Sequence, residues 1–312
     1  MLDGELLARL RGLIREHRME PIEDYLLAHS APCITLTIAD PYDPRGADPP
    51  IGASRMGGAP DLPHDFSWPT FESSIDGKLV HSGFLLQIDL SKLPLAPGNP
   101  LPATGLLSVF HRDQCAPDFS ESFEIHLFSA HETLRRTRPP DALMCASEVE
   151  TCLSGESVLI DGVLGIDTPD KGQHDIMRRV LHDRFEHDVQ GGPEDWIERF
   201  TRFQTIARDP DHERFPGRYS GWRWAGQLLG RIDASSASHL ALLDRGEPDR
   251  LQDYEMRQDR ALDFVAEANE RWRLLLQLET SPLTGFAGAR PCNQPTKVGG
   301  SGISALAPPA PA

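Results

Sequence analysis

The residues best suited to chemistry lie close together in the first third of the chain. Arg55, Asp61 and His64 surround a Gly-Gly-Ala-Pro turn, and Gln87 and Asp89 close an apolar segment further along. Asp61, His64 and Asp89 would supply the acid and base groups of a hydrolase if they converged within hydrogen-bond reach. The sequence has no GxSxG, P-loop, GxGxxG or cysteine-ligand motif that would indicate another chemistry.

A non-catalytic binding site is the interpretation that the sequence favours. Gly57 and Gly58 permit positive φ while the neighbouring prolines fix φ, so the backbone of this turn is irregular but stiff. Stiff loops that carry aromatic and polar side chains often form binding sites. The candidate binding residues are Arg55, Gly57, Gly58, Asp61, His64, Trp68, Gln87 and Asp89.

A purely structural role for the same residues is the open alternative. In that case the turn only makes a tight corner, and Gln87 and Asp89 satisfy the backbone amides of loops. Loops need such hydrogen bonds whether or not they bind a ligand, so both interpretations stay open at this point.

Histidines elsewhere in the chain carry weaker signals. His174, His182 and His187 lie in a charged segment without the HExxH motif of a zinc helix, which is typical of a solvated helix face. His111 and His126 lie on neighbouring predicted strands, where packing or surface roles are the ordinary ones. We therefore predict no metal site and no cofactor.

Composition restricts the possible partners and the compartment. The net charge of −16 at pH 7 repels phosphate backbones and anionic lipids, which argues against nucleic acid and membrane partners. Five cysteines without a CxxC motif are typical of reduced thiols in a cytosolic protein. The sequence has no apolar run of roughly 20 residues and no signal-peptide centre. We expect a cytoplasmic protein whose partner is an unidentified protein or small molecule.

Hydrophobic periodicity predicts an α+β fold, with a mostly antiparallel sheet core flanked by helices. The segment 157–164 is predicted as a short strand pair that turns at Asp161 and Gly162, and the segment 135–140 is predicted as a turn. Helices are predicted over 4–17, 22–28 and 193–207, and strands over 33–38, 83–90, 105–111, 122–129 and 274–279.

The chain divides into three predicted parts. Residues 1–30 form an N-terminal helical segment, and residues 31–279 form the α+β domain. Residues 280–312 contain no Asp or Glu and are rich in Pro, Gly, Ser and Ala. Such a composition cannot bury enough apolar area to offset chain entropy, so this tail is predicted to be disordered or frameshifted.

Four ordered motifs resemble a known family. They are the GGAPDLP segment at 57–63, Trp68-Pro69, the FLLQIDL strand at 84–90 and the GLLSVF strand at 105–110. This set resembles the YwqG-like family, bacterial proteins of unknown function, and the resemblance therefore implies an uncharacterised protein. QLLG at 227–230 and LLLQLE at 274–279 are similar to a second family block, although Gln227 stands where the family usually has His. The family's later Gly-Asp-x-Gly segment is missing, which suggests the frameshifted or truncated end.

The sequence also contains a possible internal duplication. LLQID at 85–89 and LLQLE at 275–279 each follow a glycine turn and close an apolar strand on glutamine. If the two halves are related, we expect these strands to pair near the centre of one sheet system, with Leu86 and Leu276 in a single core. A missing last strand would then leave an open sheet edge.

Overall fold

The structure is a computed structural model, and it describes residues 2–39, 49–72, 77–111, 123–138, 140, 157–169, 193–212, 224–231 and 274–278. The helices in this part of the chain are α1 Gly4–Glu16, α2 Glu23–His29 and α3 Pro193–Arg208. The strands are β1 Ala31–Ile38, β2 Arg55–Gly57, β3 Asp61–Pro63, β4 Thr70–Glu72, β5 Leu79–His81, β6 Gly83–Asp89, β7 Leu106–His111, β8 Phe123–Phe128, β9 Leu134–Arg136, β10 Ser157–Asp167, β11 Trp224–Gly230 and β12 Leu274–Leu278.

One sheet of eight strands dominates the described residues. Its order is β12-β11-β1-β10-β2-β6-β7-β8, and every pairing in it is antiparallel. Two small antiparallel sheets, β3-β9 and β4-β5, accompany it. The prediction of an α+β fold with a mostly antiparallel sheet is confirmed.

The helices pack together as a second layer with its own apolar cluster. The Asp3 carboxylate caps α1 by accepting from Leu6 N at 2.9 Å, and α1 buries an apolar stripe of Leu6, Leu10, Leu13 and Ile14. Arg9 donates to Ala207 O at 2.7 Å and to Leu164 O at 3.1 Å. It therefore fastens α1 to the C-terminal end of α3, where cations are favourable, and to β10.

The strand β10 corrects one prediction. Asp161 and Gly162 do not turn the chain, because they pair with Thr37 and Leu36 inside one continuous strand of 11 residues. A Cβ at Gly162 would lie 2.6 Å from Leu93 Cδ2, so the glycine is there for close packing. Pairing with β1 therefore overrides the local turn signal.

A second correction concerns the segment predicted as a turn at 135–140. Leu134–Arg136 form β9, which pairs antiparallel with β3, and Thr137 N donates to Pro60 O at 2.8 Å. The partner strand lies more than 70 residues earlier in the chain, so no local pattern could indicate this pairing.

Leu86 and Leu276 are both fully buried and belong to one apolar cluster, as predicted. The strands β6 and β12 share one sheet but do not pair with each other, because β11, β1, β10 and β2 lie between them. The expected pairing near the sheet centre is therefore wrong, since β12 lies at an end of the described sheet. The tail 280–312, His174, His182 and His187 lie outside the described residues.

No helix among the described residues is both long enough and apolar enough to cross a membrane.

Candidate functional site

The Gly-Gly turn brings Arg55 and Asp61 together. Gly57 and Gly58 have φ of +69° and +68°, in the left-handed region that glycine adopts without a steric penalty. A Cβ at Gly58 would also lie 2.9 Å from Ser157 Cβ. The glycines thus allow the turn between β2 and β3, across which Arg55 Nη1 donates to Asp61 Oδ2 at 2.9 Å.

The Asp61 carboxylate accepts four hydrogen bonds. Its Oδ2 accepts from Arg55 Nη1 at 2.9 Å, from Gln87 Nε2 at 2.9 Å and from Gly52 N at 2.8 Å. Its Oδ1 accepts from Arg136 Nε at 2.7 Å. We call Arg55, Asp61, Gln87 and Arg136 the Asp61 node.

Strand register positions the other members of the node. Arg55 and Gln87 are direct partners in the β2-β6 ladder. Gln87 Oε1 accepts from Asp61 N at 2.9 Å, and Gln87 Nε2 also donates to Ala53 O at 2.8 Å. Arg55 Nη2 donates to Ala59 O. Gln87 therefore satisfies loop amides and carbonyls, which is the role that the structural alternative predicts.

Arg136 connects the node to β9 and was not among the sequence-predicted site residues. Its Nη2 donates to Pro49 O at 2.7 Å, while its Nε binds Asp61 across 75 residues of sequence. The sequence shows two adjacent arginines here, Arg135 and Arg136, but no local pattern indicates which carboxylate either of them binds.

Burial and charge decide what the node can do chemically. The side chains of Arg55 and Asp61 are 0% exposed, and Gln87 is fully buried as well. Burial alone would raise the pKa of Asp61, but the hydrogen bonds from Arg55 and Arg136, followed by Gly52 and Gln87, outweigh it and lower the pKa below its ordinary value. Asp61 is therefore ionised at neutral pH, and both of its carboxylate oxygens already accept hydrogen bonds from the protein.

Asp61, His64 and Asp89 do not form an acid–base set. Asp89 Oδ1 accepts from Ser91 N at 3.0 Å and from Ser91 Oγ at 2.6 Å, so it caps the turn after β6. His64 is exposed, and its carbonyl oxygen accepts from Arg135 Nη2 at 3.3 Å. No hydrogen bond recorded for the described residues links any two of these three side chains.

Trp68 is half-buried at the edge of an aromatic cluster on β6, β7 and β8. Its Nε1 donates to Ser82 O at 2.7 Å, and its ring meets Phe110 edge to face at 5.4 Å. Phe66 lies 4.8 Å from the His126 ring, also edge to face. His126 therefore packs against aromatic rings, which is one of the two ordinary roles that the sequence predicts for it. Groups of three or more potential metal ligands are absent from the described residues.

Comparison with known proteins places the chain in a family. No curated protein matches the sequence. A family model described as "Domain of unknown function (DUF1963)" matches residues 54–288, which is more than half of the 312 residues. The matched region contains every member of the Asp61 node. The chain therefore belongs to the family of the domain of unknown function DUF1963.

Proposed function

We propose that this chain is a non-catalytic binding or interaction protein of the cytoplasm, and that it is a YwqG-like member of its family. Its binding face is the segment 64–68, which the Asp61 node holds in place. The observation that carries this proposal is the saturation of Asp61, whose buried carboxylate accepts four hydrogen bonds from three segments of the chain, at 52–55, Gln87 and Arg136. A carboxylate whose two oxygens are both engaged in this way can stabilise the neighbouring surface, but it has no oxygen available to bind a substrate.

The segment 64–68 is fastened at both ends. On one side Pro63 pairs with Leu134 in the β3-β9 sheet, and on the other side Trp68 Nε1 donates to Ser82 O. Between these anchors His64, Asp65 and Ser67 are exposed, while Phe66 and Trp68 are half-buried. A loop that is already ordered loses little conformational entropy when it binds, and partly exposed aromatic residues are frequent anchors of interfaces.

The hydrolase alternative finds no support in this geometry. A general base must accept a proton from a bound substrate, and Asp61 has a lowered pKa and four donors around its two oxygens. Asp89 is engaged with Ser91 at the opposite end of β6 from the segment 64–68.

We also infer an internal duplication from the strand registers. Two strands lie beside the β1-β10 pair in a matching arrangement on each side, β2 and β6 next to β10 and β11 and β12 next to β1, while β7 and β8 extend the sheet on one side only. Gly57 in β2 and Leu229 in β11 both have positive φ, at +69° and +54°. The matching register pairs are Arg55 with Gln87 and Met56 with Leu86 in one half, and Gln227 with Gln277 and Leu228 with Leu276 in the other.

The binding proposal is tested with surface variants that leave the node intact. The variant His64→Ala/Asp65→Ala removes two exposed side chains, and the control Asp24→Ala/His131→Ala removes the same chemistry elsewhere on the surface. Both tagged proteins are compared with the wild type by quantitative cross-linking mass spectrometry in the native host. We expect specific partners to be lost from the first variant and retained by the control. Identical partner profiles for all three proteins would contradict the proposed face.

A further inference from the structure

The strand β8 lies at one end of the eight-stranded sheet in the part of the chain that the structure describes. It pairs with β7 on one side, and no strand among the described residues pairs with it on the other side. The outer backbone groups of an end strand can hydrogen-bond to a further strand. The side chains of β8 then decide which strand can pair with it.

Two apolar rows of the sheet reach β8 on one face. Each row joins direct partners on β6, β7 and β8, and the rows are Leu86–Val109–Ile125 and Ile88–Leu107–Leu127. The members on β6 and β7 are buried, whereas Leu127 on β8 is 51% exposed. The apolar face of the sheet therefore continues to its edge, where a large apolar side chain is half uncovered.

The opposite face of β8 carries an acid and a histidine. His126 is the direct partner of Ser108 on β7, and Glu124 lies two residues earlier on the same face of the strand. His126 Nε2 lies 2.8 Å from Glu124 Oε1, and the two side chains are 24% and 27% exposed. A strand that pairs with β8 should therefore place a donor opposite Glu124 and an acceptor opposite His126.

A second copy of β8 meets these requirements in one register. A two-fold axis through Ile125, perpendicular to the sheet, would place Glu124 opposite the partner's His126 and His126 opposite the partner's Glu124. The two Ile125 side chains would lie opposite each other, on the apolar face that also carries Leu127. Cross-strand pairs of this kind are favourable, whereas a two-fold axis through His126 would place the two histidines opposite each other.

We propose that two copies of this chain associate through β8, in an antiparallel two-fold pairing centred on Ile125. Main-chain hydrogen bonds join the two strands, and the Glu124–His126 pairs fix the register. A two-fold interface uses the same surface on both copies, so one strand supplies both sides of it. This interface goes beyond the proposed function, because no residue of β8 belongs to the Asp61 node or to the segment 64–68.

The first test is the mass of the full chain in solution, measured by size-exclusion chromatography with light scattering from micromolar to submillimolar concentration. We expect twice the chain mass of 34.6 kDa at high concentration and a fall toward 34.6 kDa on dilution. Leu127→Lys places an ammonium group at the edge and should raise the Kd of the dimer about tenfold or more. Leu79→Lys is the matched control, because Leu79 is 73% exposed on β5, and it should keep the wild-type Kd.

The second test determines the register by cross-linking. In Ile125→Cys the two new cysteines lie on the axis, where opposite Cα atoms are about 4.5–5.5 Å apart and within reach of a disulfide. In the control Leu127→Cys the two cysteines are offset by four residues, about 14 Å along the strands, which is too far. Under mild oxidation, only Ile125→Cys should form more covalent dimer than the wild type. Random collisions would favour the control, because Leu127 is the more exposed of the two residues.

Three outcomes would overturn the proposal. One is a single-chain mass at every concentration, which would leave this edge unpaired or open to a different protein. Another is a dimer whose Kd Leu127→Lys does not change, since it would form through another surface. The third is cross-linking of Leu127→Cys that equals or exceeds that of Ile125→Cys. Circular dichroism checks that each variant is folded, and the two cysteine variants still decide the register if Leu127→Lys does not fold.

Discussion

The substitution Asp61→Asn should destabilise the protein far more than its conservative size suggests. The amide keeps the shape of the carboxylate but removes its charge, so the guanidinium of Arg55, which is 0% exposed, loses the ion pair that joins its Nη1 to Asp61 Oδ2 at 2.9 Å. Removing one member of a buried ion pair typically costs about 3–5 kcal/mol, because the other member stays buried without the charge that faced it. Arg136 is 24% exposed and is screened by water, so its lost pairing adds at most about 1 kcal/mol.

The assay is urea unfolding followed by circular dichroism, with Asp65→Asn as the matched control. Asp65 is an exposed carboxylate four residues after Asp61. Its substitution should therefore change the free energy of unfolding by less than about 0.5 kcal/mol. Equal and small effects for the two variants would refute the reasoning, because they would mean that Arg55 has no need of a buried counter-charge.

The wild type and Asp61→Asn should also differ in how their stability depends on pH. The folded-state pKa of Asp61 lies below its unfolded value of 3.8, so its stabilising contribution is fully present above that pH. The contribution is lost as the pH falls from 3.8 through the folded-state pKa. The stability difference between wild type and Asp61→Asn should therefore be constant above about pH 5 and should shrink on acidification. A difference that grows toward low pH would contradict the assignment.

Three further predictions follow from local geometry. Gly165→Ala would place a Cβ 2.2 Å from the Arg208 carbonyl oxygen, so urea unfolding should show a loss of at least about 1–3 kcal/mol. Gly12→Ala lies in α1 with nothing within 4 Å of the new Cβ, and the same assay should show a gain of about 0.5–1 kcal/mol. Burial raises the pKa of the Cys33 thiol to about 12, so mass spectrometry should find it alkylated by iodoacetamide at pH 8 only after unfolding.

The elements that could be predicted from the sequence are those whose stabilisation is local. The stripe of α1 and the apolar runs of β6 and β7 are visible within single windows, and their observed bounds agree with prediction to within one or two residues. The strand β10 was predicted with a turn because Asp161-Gly162 is a turn signal when read alone. The pairing of Ile160–Asp167 with β1, which includes both of these residues, overrides that signal.

The candidate site could be predicted by residue type but not by role. Arg55, Asp61 and Gln87 do come together, since the glycine turn and the β2-β6 register align them. The sequence contained no information on register, so it could not distinguish an exposed binding face from a buried node. For the same reason it linked His64 and Asp89 with Asp61, although the structure gives each of them other partners.

The central claim is that Asp61 is held ionised inside the fold for a structural purpose. The most direct test is a ¹³C NMR titration of the Asp61 carboxyl group, assigned by comparison with Asp61→Asn. We predict a midpoint below 3.8, with the protein still folded when the carboxyl group begins to protonate. A midpoint above 3.8 would contradict this claim, because it would show that burial outweighs the four hydrogen bonds to the carboxylate.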